Sequence, residues 1–196
     1  MAVYTKINKE DISVINNKFD IEKIITFHGI KKGIENTNYL LKSKNKKFIL
    51  TIFEKRVSNK EIPFFMKLMD QLNYSKINCP KPLKSNNGSY LIKLKNKTAC
   101  IVSFLQGKDK NKLSLKNCFE VGKIIAEIHH ITKNIKIYRK NSMGINNLDP
   151  LLKSIKFKSN KFNNLEKFLK DNLKYIKKNW PNKLPNGIIH GDLFVD

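Results

Sequence analysis

The stretch Ile188-Ile189-His190-Gly191-Asp192-Leu193-Phe194-Val195-Asp196 decides the fold class of this chain. A His-x-Asp sequence after a short apolar run is one form of the phosphoryl-transfer loop His-x-Asp-x-x-x-x-Asn. In that loop the aspartate, here Asp192, accepts the proton of an attacking hydroxyl, and the asparagine holds a metal ion beside the phosphates. The asparagine position would be 197, just after the last residue. Because three common residues also recur by chance, the tripeptide alone leaves an ordinary strand-to-loop junction open as an alternative.

Two glycines precede a pair of β-rich runs in the first third of the chain. Gly29 and Gly33 flank Ile-Lys-Lys, and residues 36–38 lead from them into an apolar run. A polar turn at residues 43–46 separates this run from residues 48–53, which predicts a β-hairpin. Glycine lets a backbone approach a ligand closely, so the turn before the hairpin suits a loop over phosphates, although a plain turn fits equally well.

Apolar periodicity predicts the other elements of an α+β chain. They are a helix that starts at a possible capping box, Ser58 to Glu61, and continues to 72, a hairpin over 91–94 and 98–105, helices over 121–131 and 162–176, and a strand over 187–189. This order predicts a β-rich N-terminal lobe with one inserted helix, residues 1–107. A helical lobe, residues 108–196, follows and ends in the His190 loop.

Composition limits the class of protein. The 196 residues are 40% hydrophobic, and no apolar run approaches the ~20 residues that span a bilayer. The polar N-terminus lacks the apolar core of a signal peptide, so a cytoplasmic protein without a membrane partner is expected. Cys79, Cys100 and Cys118 lie at unrelated spacings, which predicts buried free thiols rather than disulfides or a metal site.

The formal net charge of +23 raises the alternative of a Lys-rich nucleic-acid-binding protein. Only Arg56 and Arg139 are arginines among the 39 basic residues, however, and the rest are lysines. Lysine lacks the two-pronged guanidinium that reads bases and phosphates, and here it is mixed with asparagine and isoleucine throughout. This pattern favours a compositional drift over solvated surfaces, without a specific nucleic-acid partner.

In this order the segments resemble the aminoglycoside phosphotransferase and choline kinase branch of the protein-kinase-like fold, and within it the bacterial homoserine kinase family. The resembling segments are residues 29–39, 48–54, 61–65 and 97–107, Val121-Gly122 with Ala126 and His129, Arg139 with Asn141 and Gly144, and residues 190–194. The resemblance runs from Val3 to Asp196. It implies a two-lobe kinase that uses ATP and Mg²⁺ to phosphorylate the hydroxyl of the small molecule L-homoserine, in threonine biosynthesis. Kinases of the same fold that act on choline, ethanolamine, methylthioribose or an aminoglycoside remain the nearest alternative.

The resemblance also implies roles for single residues. Asp192 matches the catalytic aspartate, which orients the hydroxyl and takes its proton late in the transfer. His190 matches a histidine that supports the catalytic loop. The residues implied to bind ATP are Gly29, Gly33 and Asn36 in the turn over the phosphates, and Ser103, Phe104 and Leu105 in the hinge between the lobes.

Two departures from the wider fold accompany the resemblance. Thr51 stands where that fold carries a phosphate-holding lysine or arginine, which leaves Lys55 or Arg56 as candidate cations. Glu61 lies where relatives carry the helix glutamate that pairs with that cation. The later metal-binding residues of the family have no counterpart up to Asp196, so no metal ligand is expected within this chain. The pattern indicates an N-terminal portion of a longer protein, expected to be inactive by itself.

Overall fold

The computed structural model describes residues 3–54, 58–108, 110, 112–142, 144–157, 164–181 and 183–195. The chain forms two compact units, Met1–Ile137 with Ile188–Asp196, and Tyr138–Gly187. The predicted boundary between the two lobes, at Gly107, lies inside the first unit. The division into lobes of residues 1–107 and 108–196 stays a prediction.

An antiparallel sheet forms the centre of the first unit, in the order β1-β2-β3-β5-β4. Its strands are β1 Thr26–Gly29, β2 Thr37–Lys42, β3 Lys47–Ile52, β4 Ile92–Leu94 and β5 Lys97–Ser103. Both predicted hairpins are therefore confirmed, with strand bounds that differ by one or two residues. Lys95 and Asn96 connect β4 to β5 and both have positive φ, as a tight two-residue hairpin turn requires.

A helix packs on each face of this sheet. On one face lies α1 (Lys9–Lys18); its Ile15 and the Phe19 that follows its last residue are almost completely buried in the main core cluster. Asn8 and Asp11 cap the start of α1 reciprocally through side chain and backbone. The sequence analysis missed this helix because its few apolar residues are scattered in a polar run. Burial at about 1.5–3 kcal/mol for each large side chain nevertheless makes it part of the fold.

The other face is covered by α2 (Ile62–Tyr74), which buries Ile62 and Met66 against the sheet. The predicted capping box at Ser58 is wrong, because α2 begins after Glu61 and no side chain caps it. Pro63 explains the later start. In the first helical turn the missing N–H of proline costs nothing, whereas a helix from Ser58 would place the ring in its interior.

The longest helix, α3 (Leu115–Thr132), confirms the helix predicted over 121–131 and starts earlier. The earlier start results from a capping box between Ser114 and Asn117. Cys118 is exposed on this helix and Cys79 is half-buried, so the prediction of buried thiols holds for Cys100 alone, although each of the three is a free thiol. None of the described helices is long and apolar enough to cross a membrane.

The second unit contains a 3₁₀ turn (Ile145–Asn147) followed by α4 (Leu148–Ser154), which was not predicted, and α5 (Leu165–Lys178). Helix α5 confirms most of the helix predicted over 162–176, of which Phe162 lies outside the described residues. The strand predicted over 187–189 is wrong, because this segment pairs with no strand of the described chain. Ile189 is 67% exposed, so this apolar residue does not belong to a buried strand.

Candidate functional site

The turn over the predicted phosphate site, called here the glycine turn, comprises residues 30–36 between β1 and β2. Its base is closed by the Ile30 N–H, which donates to the Asn38 carbonyl oxygen over 2.8 Å. At its other end the Asn36 side-chain oxygen accepts from the Glu54 N–H at 3.3 Å. The β-strands on either side thus hold both ends of the turn, while most of its residues are exposed.

Positions 29 and 33 are glycines for different structural reasons. Gly33 has φ of +99°, a left-handed conformation that favours glycine, and its missing side chain faces open space. Gly29 has no such φ, but a Cβ there would lie 2.8 Å from the Val3 Cγ2 atom. Gly33 therefore shapes the turn, whereas Gly29 admits the N-terminal segment.

Thr51 lies on the side of the sheet that α2 covers. Its strand partner Cys100 packs in the cluster of Ile62 and Met66. The Thr51 hydroxyl donates to the Asn38 Oδ1 atom over 2.8 Å, and both side chains are half-buried. That Thr51 replaces a cation of the wider fold stays a prediction. The sequence analysis did not single out Asn38, although its position two residues after Asn36, at the start of the apolar run, was a usable signal.

A largely buried carboxylate, that of Glu54, lies two residues after the end of β3. The Glu54 side chain is 10% exposed, forms an ion pair with Lys97, and accepts from the hydroxyls of Thr5 and Thr37 at 2.7 Å each. Burial by itself would raise the pKa of Glu54, but the hydrogen bonds from Lys97, Thr37 and Thr5 outweigh it and hold that pKa below its ordinary value. The sequence analysis also missed this network, which links residues far apart in the chain.

The predicted hinge follows β5, and two of its three amide groups are already engaged. The Ser103 N–H donates to the Lys81 carbonyl oxygen at 2.9 Å, and the Phe104 N–H donates to that of Lys47 at 3.3 Å. The Lys47 ammonium also lies 5.6 Å from the centroid of the Phe104 ring. Within the described part of the chain, the Leu105 N–H meets no protein acceptor, which leaves it able to bind a ligand.

The loop with His190 and Asp192 belongs to the first unit and is exposed. The Asp192 N–H donates to the His190 Nδ1 atom at 3.3 Å, across Gly191 with φ of +73°. Because Nδ1 accepts, the ring proton of a neutral imidazole is on Nε2 in this arrangement. The histidine thus supports the local loop geometry, while catalysis by Asp192 stays a prediction.

The remaining candidates divide between two places. Glu61 lies at the N-terminal end of α2, and Lys55 and Arg56 lie outside the described residues. A cleft of about 480 Å³ contains none of the predicted site residues; it is lined by side chains of α2, by Tyr90 and by residues 134–137. No group of three or more His, Cys, Asp or Glu side chains among the described residues is placed to hold a metal ion. These residues therefore do not fit a protein-only Mg²⁺ site.

Comparison with known proteins shows which family this chain is similar to. Residues 26–196 match the phosphotransferase enzyme family. A homoserine kinase of Paramagnetospirillum magneticum is 36% identical over 197 aligned positions, which cover 100% of this chain and 60% of that protein. A homoserine kinase of Bartonella tribocorum is 35% identical and is covered to 62% of its length. The chain thus spans less than two thirds of these relatives.

Solved structures are similar in fold at much lower identity. Spectinomycin phosphotransferase APH(9)-Ia, in complex with ADP and spectinomycin, matches 97% of this chain and 64% of its own with a TM-score of 0.63 and 14% identity. An aminoglycoside phosphotransferase of Alicyclobacillus acidocaldarius matches 89% of this chain and 51% of its own with a TM-score of 0.53 and 7% identity. These likenesses confirm the predicted α+β, aminoglycoside phosphotransferase-like fold.

Proposed function

Because the chain belongs to the phosphotransferase enzyme family, we propose that it is part of an ATP:L-homoserine phosphotransferase, a cytoplasmic enzyme of threonine biosynthesis. The observation that carries this proposal is similarity to homoserine kinases over the whole chain at 35–36% identity. Residues 1–196 would supply the nucleotide-binding sheet and the loop with the catalytic aspartate. The choice of homoserine as the substrate rests on these relatives.

The nucleotide is proposed to bind along the α2 side of the sheet. Phe48 on β3 pairs with Ser103 at the hinge, and Thr51 on the same strand pairs with Asn38 next to the glycine turn. At about 3.3 Å per residue, the two ends are roughly 10 Å apart, which suits adenine at one end and phosphates at the other. Leu105 would donate its free N–H to the adenine edge, while Gly33 allows the turn to arch over the phosphates.

Asp192 is proposed to accept a hydrogen bond from the homoserine hydroxyl and to take its proton late in the transfer. Such a transfer needs little covalent help, so positioning and electrostatics provide most of the catalysis. Mg²⁺ would neutralise charge on the phosphates when it is bound with the nucleotide. His190 would keep the loop in place through its contact with the Asp192 N–H.

The cation that meets the phosphates is proposed to come from Lys55 or Arg56. Support for this comes from Thr51, which replaces the usual cation and is already bonded to Asn38. Glu61 at the start of α2 follows these residues closely in the chain and is the proposed acidic partner.

The test measures phosphohomoserine formed from ATP, Mg²⁺ and homoserine by the full-length protein. Asp192→Ala should lower kcat by at least ~10²-fold, the low end for a positioned catalytic base. The exposed Asp20→Asn variant is the matched control and should keep wild-type kcat. If the enzyme turns over choline, ethanolamine, methylthioribose or spectinomycin faster than homoserine, the proposed substrate is wrong. If the Asp192→Ala variant keeps wild-type activity, Asp192 is not the catalytic residue.

A polypeptide limited to residues 1–196 should bind the nucleotide and not turn it over. The described residues form no metal-holding group, and the catalytic loop is exposed to water. Phosphohomoserine production by this polypeptide at a rate close to that of the full-length protein would contradict the placement of the catalytic centre.

A further inference from the structure

We propose that the N-terminal residues 3–7, called here the N-terminal strap, position the glycine turn for nucleotide binding. In this proposal Gly29 is a glycine because the strap crosses it, and not because a phosphate approaches it. The nucleotide part rests on the proposed function, whereas the effect of the strap on the turn does not.

The strap reaches the glycine turn directly through Tyr4. The Tyr4 hydroxyl donates to the Ile34 carbonyl oxygen at 3.0 Å, in the exposed middle of the turn. The backbone N–H groups of Tyr4 and Thr5 donate to the Thr37 Oγ1 atom at 2.9 and 3.1 Å, at the point where the turn enters β2. One short segment thus contacts both the middle and the end of the turn.

The strap is itself held firmly to the sheet. The Ile7 N–H donates to the Tyr39 hydroxyl at 3.2 Å, and that hydroxyl donates to the Thr5 carbonyl oxygen at 3.0 Å. The Thr5 hydroxyl donates to the Glu54 carboxylate, whose pair with Lys97 lies at the start of β5. Because Thr5, Thr37 and Tyr39 are buried, this anchor is rigid compared with the turn that it supports.

Close packing accompanies the hydrogen bonds. Val3 packs against the main core, and its Cγ2 atom occupies the space where a Cβ of Gly29 would be. A contact of 2.8 Å is too short for two carbon atoms, so an alanine at position 29 would displace Val3 or the end of β1. Either movement would change where the glycine turn starts.

A physical reason connects the strap to binding. An exposed turn that contains glycine samples many conformations, and ordering it on a ligand costs conformational entropy. A contact that already holds the turn lowers that cost and so raises affinity without touching the ligand. Tyr4 is therefore a positioning residue.

The first test removes only the Tyr4 hydroxyl. In Tyr4→Phe, trypsin should cut after Lys31 and Lys32 in the turn about three- to tenfold faster, the equivalent of one net intramolecular hydrogen bond. Cleavage after Lys44, in the turn between β2 and β3, should not change and is the internal reference. Tyr74→Phe is the matched control, since Tyr74 is 87% exposed at the end of α2. An acceleration below about twofold overturns the role of Tyr4.

The second test is a rescue that uses the clash at Gly29. Gly29→Ala should accelerate cleavage in the turn and weaken Mg²⁺-ADP binding severalfold, whereas Val3→Ala should have a smaller effect. The double variant removes the clashing methyl and should recover most of the loss in both measurements. If cleavage recovers and Mg²⁺-ADP binding stays as weak as in Gly29→Ala, the glycine serves the ligand and the proposal for Gly29 is wrong.

The two measurements separate the two proposals. Wild-type protein that fails to bind Mg²⁺-ADP would refute the proposed function, while the trypsin result would still decide whether the strap holds the turn. Normal Mg²⁺-ADP affinity in a Tyr4→Phe variant whose turn is cut faster would show that the strap orders the turn without serving binding.

Discussion

Replacing Glu54 by glutamine should destabilise the first unit through loss of charge at nearly constant shape. The carboxylate accepts from Thr5, Thr37 and Lys97, and its side chain is 10% exposed. An amide keeps one oxygen acceptor and turns the other position into a donor. Both hydroxyls donate to the same Oε1 atom, so an amide oxygen in that place still accepts from them, but without a charge. The amide NH₂ group then faces the Lys97 ammonium, which is donor against donor, and the Thr37 side chain is completely buried.

The size of the effect follows from burial. A hydrogen bond to a charged acceptor contributes about 1.5–3 kcal/mol, whereas a bond between neutral groups contributes about 0.5–1.5 kcal/mol. The Lys97 side chain is 40% exposed, so its ion pair adds at most about 1 kcal/mol. Because these contributions overlap, we expect a loss of about 2–3 kcal/mol in the free energy of unfolding. In a chain of this size that lowers Tm by about 4–12 °C.

Urea and thermal unfolding followed by circular dichroism would measure the loss, because the sheet dominates the first unit. Fluorescence of Trp180 reports the second unit and should not shift. Glu120→Gln, on the exposed surface of α3, is the control and should change stability by less than about 0.5 kcal/mol.

The pH dependence of unfolding tests whether the carboxylate charge of Glu54 causes this loss of stability. The pKa of Glu54 is lowered from 4.5, so its stabilisation is fully present above pH 4.5 and is lost as the pH falls through the lower folded value. The difference between wild type and Glu54→Gln should therefore shrink below pH 4.5, because a protonated glutamate resembles glutamine. A difference that stays constant across that range would show that shape, and not charge, explains the variant.

Three further predictions concern binding and surfaces. Leu105→Pro removes the one hinge N–H that is proposed to bind adenine, so it should weaken Mg²⁺-ADP binding about tenfold with little change in Tm. Gln106→Pro should leave the affinity for Mg²⁺-ADP unchanged. Equal affinities of the two variants in calorimetry would exclude Leu105 as the residue that binds adenine. The net charge of +23 should give only weak DNA association that salt abolishes. Sequence-selective DNA binding with a Kd below ~10⁻⁸ M at physiological salt would contradict the enzyme proposal. Leu115 and Phe119 are 91% and 70% exposed on α3, so residues 1–196 should bind a hydrophobic dye, and changing both to serine should reduce its fluorescence.

The sequence by itself determined the elements that depend on near neighbours. Alternating apolar residues and the short polar turns placed both hairpins, since a strand partner a few residues away is specified by local pattern. The 3.6-residue period placed most of α3 and α5 for the same reason. The α+β class and the family resemblance followed from the order of these elements and the motifs within them.

Only the tertiary structure decided what individual residues of the site contact. The family resemblance implies that Gly29 lies in the turn over the phosphates, which stays a prediction, whereas the structure shows that a Cβ at Gly29 would meet Val3. The carboxylate of Glu54 is likewise satisfied by Thr5 and Lys97. Such pairs lie tens of residues apart and leave no periodic signal, because their geometry exists only after the strands have paired. The same holds for the hinge, where pairing with Lys81 and Lys47 occupies two amides and leaves the third, that of Leu105, available.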